Sequence, residues 1–174
     1  MNKLHVYTGE GKGKTTAAMG LALRALGHGR KVLVGQFMKT GQSGELAALK
    51  KLDGAVVMTA EPIRGFTFRM DDEQKNRTHA EQTAFCEALI RAVDSEKPDM
   101  IVLDELGIAL TSGMLDDDAA RRLIDRALES GETVATGRRV PEWLLDRADY
   151  LSRIMAERHP YQTEGLQARK GVEW

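Results

Sequence analysis

The run Thr8-Gly9-Glu10-Gly11-Lys12-Gly13-Lys14-Thr15-Thr16 constrains this chain more than any other stretch. It follows the apolar segment Leu4-His5-Val6-Tyr7 and leads into a helix-forming segment from Thr15 to Leu26. Strand, glycine-rich loop and helix in that order make a phosphate-binding loop. Glycines at 9, 11 and 13 let backbone N–H groups turn inward around phosphate oxygens, Lys14 adds a point charge, and the Thr15 hydroxyl suits a magnesium ion. The candidate nucleotide-binding set is therefore Gly9, Glu10, Gly11, Lys12, Gly13, Lys14, Thr15 and Thr16. The usual pattern places a glycine five residues before the Gly-Lys pair, but Thr8 stands there and Gly9 comes one place later, so the loop is one residue short. A flexible surface turn is the plainer reading, but it does not account for the strand before and the helix after.

The rest of the chain alternates short apolar runs, near 3–8, 31–37, 55–60, 99–104, 132–136 and 149–155, with helical patterns. That alternation predicts an α/β fold with a mostly parallel central sheet covered by helices on both faces. The segment 15–26 is apolar almost all round apart from Arg24 and stops at Gly27, so it is expected to be a buried helix. Apolar residues recur at helical spacing over 72–95 and 116–129. Asp116, Asp117 and Asp118 open the second of these, where carboxylates suit the positive end of a helix dipole better than a metal cluster. With no repeat, low-complexity tract or linker, residues 1–174 read as one P-loop domain. Residues 61–71 form a loop long enough to suspect function, and 157–174 a polar C-terminal tail that reads as a frayed terminus.

The second half of a nucleotide site is an apolar strand ending in acids. Met100-Ile101-Val102-Leu103-Asp104-Glu105 supplies it, making Thr15, Asp104 and Glu105 the candidate metal ligands. A third strand, Thr133-Val134-Ala135-Thr136, runs into Gly137-Arg138-Arg139, and Arg138 is the first choice to brace a phosphate chain. None of the four histidines falls in a metal or catalytic constellation, and no serine or cysteine carries a nucleophile signature. The lone cysteine, Cys86, lies in a helical stretch and reads as a small buried hydrophobe. A nucleophile is therefore expected to arrive with the substrate. A net charge of -1 from 25 basic and 26 acidic residues leaves no footprint for nucleic acid or anionic membrane, which favours a small-molecule partner. No apolar run approaches a membrane span and no signal peptide is evident, so a cytoplasmic location is expected.

Taken together, Gly-Glu-Gly-Lys-Gly-Lys-Thr-Thr, the Val-Gly-Gln-Phe-Met-Lys strand end at 34–39, Gly-Phe-Thr-Phe at 65–68, Leu-Asp-Glu-Leu at 103–106, Thr-Gly-Arg at 136–138 and the closing Lys-Gly-Val-Glu-Trp resemble the P-loop ATP:corrinoid adenosyltransferases. The likeness spans nearly the whole chain, and that family's loop is similarly shortened. The resemblance implies transfer of the 5′-deoxyadenosyl group of ATP to the Co(I) of a reduced corrinoid, with triphosphate leaving and Mg²⁺ assisting. It implies catalytic roles for Lys14, Glu105 and Arg138, and it places the family's corrinoid-side aromatic pair on Phe66 and Phe68, the second of which is more usually tryptophan. It further implies a homodimer and a reductase or flavoprotein electron donor. Longer members carry an N-terminal extension that helps cover the site, whereas this chain begins at the first strand, so closure is expected from the tail or a second subunit. Two other readings share the loop: a small-molecule kinase, which would yield ADP, and a non-enzymatic ATP-sensing module. Neither gives a role to residues 65–68 or to the C-terminal motif.

Overall fold

The computed structural model describes residues 1–39, 43–63 and 70–172. Six strands, β1 (Leu4–Thr8), β2 (Val32–Gln36), β3 (Ala55–Thr59), β4 (Met100–Asp104), β5 (Glu132–Gly137) and β6 (Tyr150–Arg153), form one sheet in the order β3-β2-β4-β5-β1-β6. Every pairing is parallel. The expected strands are each found, with no end displaced by more than two residues. Seven helices are found among the described residues: α1 (Lys14–Gly27), α2 (Gly44–Leu49), α3 (Asp72–Glu96), α4 (Leu106–Thr111), α5 (Asp117–Ser130), α6 (Glu142–Arg147) and α7 (Pro160–Glu164). Among those residues, no helix is long and apolar enough to cross a membrane.

Strand alternation sorts the core into two layers. Leu33, Ile101, Leu103 and Ala135 face a cluster with Leu89 and Val93 of α3 and Leu123 and Ile124 of α5. Val32, Val34, Met100, Val102 and Val134 face the other way, onto Ala18, Met19 and Ala22 of α1 and Leu46 of α2. Each of the fully buried leucines and isoleucines contributes about 1.5–3 kcal/mol. Helix α1 is not buried all round as expected: Ala18, Met19, Ala22 and Ala25 pack on the sheet, but Leu23 is 55% exposed. A single layer of sheet can cover only one face of a helix. Helix α3 starts at a capping box in which Asp71 Oδ1 accepts the Gln74 N–H at 2.8 Å and Gln74 Oε1 accepts the Asp71 N–H at 3.1 Å.

The order places β5 between β1 and β4. At the usual strand spacing the phosphate-binding loop and the acidic strand end are then roughly 10 Å apart across the sheet. The side chains that join them must come from α1 and from β5 itself.

Candidate functional site

The C-terminal ends of β1, β2, β4 and β5 lie at one edge of the sheet, and they gather there the phosphate-binding loop, Asp104, Glu105 and Arg138. Gly9 has φ 106, and a Cβ on it would stand 2.5 Å from the Ile154 carbonyl, so both conformation and crowding require glycine. The loop is stitched to its neighbours by its own amides. The Gly9 N–H donates to the Arg138 carbonyl at 3.2 Å and the Gly11 N–H to the Ile154 carbonyl at 2.8 Å. Those two N–H groups therefore face β5 and the end of β6, which narrows the expectation that all three glycines aim N–H groups inward. Gly13 caps α1 with φ 116, and the first helical bond runs from the Ala17 N–H to the Gly13 carbonyl at 2.8 Å. The amides of Lys14, Thr15 and Thr16 precede that bond, at the positive end of the helix.

Lys14 curls over the loop, its ammonium donating to the carbonyls of Gly9 at 2.6 Å and Gly11 at 2.7 Å. Burial holds its pKa below the ordinary lysine value, against the pull of the Glu105 carboxylate. The Thr15 hydroxyl reaches across β5 to donate to Asp104 Oδ1 at 2.9 Å.

Asp104 is completely buried, and four donors surround it. Thr15 and Thr136 hydroxyls bond Oδ1 at 2.9 and 2.7 Å, while the Gln36 amide and the Lys39 ammonium bond Oδ2 at 2.9 and 3.1 Å. The next residue, Glu105, is held in the left-handed region with φ 60, its N–H donating to Thr136 Oγ1 at 3.0 Å. Its carboxylate lies 3.1 Å from Lys39 Nζ. Burial alone would lower the Lys39 pKa, but the Asp104 and Glu105 carboxylates outweigh it and raise that pKa. Close backbone approach shapes this edge as well: a Cβ on Gly107 would meet the Arg139 carbonyl at 2.5 Å, and one on Gly137 the Gly107 Cα at 2.7 Å. Two facing glycines let α4 press onto the end of β5.

Arg138 stands at the rim, its side chain 62% exposed, with Nε 3.1 Å from Glu10 Oε2. Glu10, Lys12 and Arg138 line one wall of a cleft of about 630 Å³ whose other wall is the tail, including His159, Tyr161 and Arg169. The tail is not simply frayed. Pro160 starts α7, and His159 Nδ1 accepts the Tyr161 N–H at 3.3 Å. Phe66, Phe68 and Trp174 lie outside the described residues, but Ile63 and Met70, the described residues on either side of 64–69, both line a second cleft of about 360 Å³ with Gln74 and Thr78. Cys86 is fully buried, its thiol pushed up to about 12 by burial, as an inert packing residue should be.

The family model described as ATP:corrinoid adenosyltransferase BtuR/CobO/CobP matches residues 1–174. The chain belongs to that family. Among curated relatives, the corrinoid adenosyltransferase of Pseudomonas aeruginosa is 36% identical over 98% of this chain and 83% of its own length. Those of Escherichia coli K12 and Salmonella typhimurium are 33% and 34% identical, each over 97% of this chain and 84% of their own length.

Within this candidate site, sequence reasoning assigned no role to Gln36, Lys39 or Thr136. Gln36 and Thr136 sit at strand ends and Lys39 in the turn after β2, all beside Asp104, and only the order of strands brings them there. The available signal was the motif at 34–39, which ends in Lys39 and contains Gln36. A buried polar residue closing an otherwise apolar strand is worth reading as a site residue.

Proposed function

We infer that the protein transfers the 5′-deoxyadenosyl group of ATP to the Co(I) of a reduced corrinoid and releases triphosphate. The observation that carries this reading is the direct bond from Thr15 on the phosphate-binding loop to the buried Asp104, in a chain that matches the adenosyltransferase family from end to end. In the reaction the cobalt electron pair forms a Co–C5′ bond as the C5′–O bond breaks, and the bonding pair leaves on the triphosphate. Negative charge therefore gathers on the leaving group, and catalysis needs cationic and N–H groups placed there in advance.

Lys14 and the amides of Lys14, Thr15 and Thr16 are suited to that task, with Lys12 and Arg138 at the rim. Glu10 holds Arg138 beside the loop and keeps its guanidinium within reach of a phosphate tail. The Lys14 ammonium must leave the Gly9 and Gly11 carbonyls to meet a phosphate oxygen, a short swing of a flexible stem.

The residues fit a magnesium ion. Thr15 Oγ1, Asp104 Oδ2 and Glu105 Oε1 are hard oxygen donors, all within 3.1 Å of one cationic nitrogen, Lys39 Nζ. When bound, magnesium would neutralise charge on the triphosphate. Thr136 and Gln36 would keep Asp104 oriented toward it.

No protein nucleophile is called for, which agrees with the buried, high-pKa thiol of Cys86. Phe66 and Phe68 are assigned to an apolar lining over one corrinoid face, excluding water and the lower axial ligand so that cobalt is more easily reduced. A reductase or flavoprotein electron donor, a homodimer and a cytoplasmic setting complete the proposal. The test is anaerobic incubation with ATP, Mg²⁺ and chemically reduced corrinoid, following the spectrum of the cobalt–carbon product. A corrinoid spectrum that stays that of the starting material sinks the reading.

A further inference from the structure

Lys39 follows β2 in a turn that is fastened on both sides. The Phe37 N–H donates to the Asp104 carbonyl at 2.9 Å. Met38 is left-handed with φ 54, and its N–H donates to Gln82 Oε1 on α3 at 3.4 Å. The turn aims the Lys39 ammonium at three oxygens, Thr15 Oγ1, Asp104 Oδ2 and Glu105 Oε1, each 3.1 Å away. An ammonium has three N–H donors, so these acceptors saturate it.

The same three residues are those assigned above to the divalent ion, and the inference rests on that assignment. Magnesium binds oxygen at about 2.0–2.1 Å and demands near-octahedral geometry. One set of donors cannot serve an ammonium at 3.1 Å and a metal ion at the same point. Two cations that close would also repel strongly in a partly buried site. Without any cation, however, the buried Asp104 and the neighbouring Glu105 would face each other uncompensated.

We propose that Lys39 is a tethered cation that keeps the divalent-ion position filled, so that the metal enters only with the phosphates of the nucleotide and displaces the ammonium. Lys39 is then a positioning residue: it holds Thr15, Asp104 and Glu105 assembled and keeps the site from capturing metal alone.

Mn²⁺ is the probe, since oxygen ligands suit it as they do magnesium and its free ion is counted by electron paramagnetic resonance. Nucleotide-free wild-type protein should leave Mn²⁺ in solution, while Lys39→Met should bind one Mn²⁺ per chain at least about ten-fold more tightly, because a positive charge has left the ion's position. Adding Asp104→Asn to Lys39→Met should abolish the gain, and adding ATP should narrow the gap between wild type and Lys39→Met. Should Lys39→Met melt too low to study, the same titration is made with Lys39→Gln. Tight nucleotide-free binding by the wild type overturns the proposal without any variant, and so does the lack of a gain in a folded variant. The Mn²⁺ titration needs no corrinoid. A gain in Mn²⁺ binding alongside failed adenosylation would keep this inference and sink the transfer reading, whereas adenosylation without the gain would do the reverse.

Discussion

Carboxylates at the two ends of the sheet are used in opposite ways. At the N-terminal end, Asp99, Glu132 and Asp149 each accept the N–H of a residue at the start of a neighbouring strand, Lys31, Lys3 and Leu4, all at 2.9 Å. Each also pairs with a cationic or histidine side chain, Arg30 at 3.4 Å, His5 at 2.8 Å and Lys3 at 2.9 Å, and their own side chains are 43, 32 and 36% exposed. These groups finish hydrogen-bond ladders in contact with water, where ion pairs contribute little. At the C-terminal end, Asp104 is wholly buried and collects side chains from α1, β2, β5 and the turn after β2. Burying a carboxylate with four donors is a costly way to stabilise a sheet and a good way to fix charge for a ligand. Under the proposed function, the difference separates carboxylates that close the fold from one that prepares the chemistry.

Substitutions can break or sharpen that contrast. The largest effect is expected at Asp104. Asp104→Ala takes a shared acceptor from Gln36, two hydroxyls and Lys39, so stability should fall by about 3–5 kcal/mol in denaturant titration and adenosylation should be lost. A near-neutral result would remove the contrast. Lys14→Ala should lower kcat/KM by about 100-fold or more while leaving the melting temperature near that of the wild type, because its contacts are to loop carbonyls rather than to the core. Equal activity would overturn its assignment.

Gly107→Ala should cost about 1–3 kcal/mol in thermal unfolding, since the new Cβ would press on the Arg139 backbone and part α4 from β5. The smallest effect belongs to the other end of the sheet. Asp149 has a pKa below its ordinary value because the Lys3 side chain and the Leu4 N–H bond its charged form. A depressed folded pKa means that its contribution is complete above the usual carboxylate range and is lost as pH falls through the folded value. Asp149→Asn should thus leave activity at neutral pH unchanged, slightly lower stability at neutral pH and converge with the wild type in acid, flattening the acid limb of the stability profile. A large neutral-pH loss of activity would mean that the two ends are not separate in function.

Much of this was legible in the chain itself, for identifiable reasons. The apolar runs of β2 and β4 are continuous because parallel strands are covered on both faces, and the glycine spacing of 9, 11 and 13 belongs to local backbone geometry. Asp104 and Glu105 could be read as the end of such a run. Lys39 and Gln36 could not be given roles, because their meaning depends on β2 lying beside β4 in the sheet, a pairing between segments 68 residues apart at Gln36 and Asp104. The facing pair Gly107 and Gly137 was hidden for the same reason. The exposure of Leu23 was missed because an apolar helix does not reveal how many of its faces the sheet will cover.

The fate of the phosphates separates adenosyl transfer from phosphoryl transfer most directly. Phosphorus NMR of a single-turnover reaction with ATP, Mg²⁺ and preformed Co(I) corrinoid counts the products in one spectrum. Attack at C5′ predicts one inorganic triphosphate for each cobalt–carbon bond formed and no ADP. ADP as the nucleotide product, or phosphate released without a cobalt–carbon bond, would contradict it.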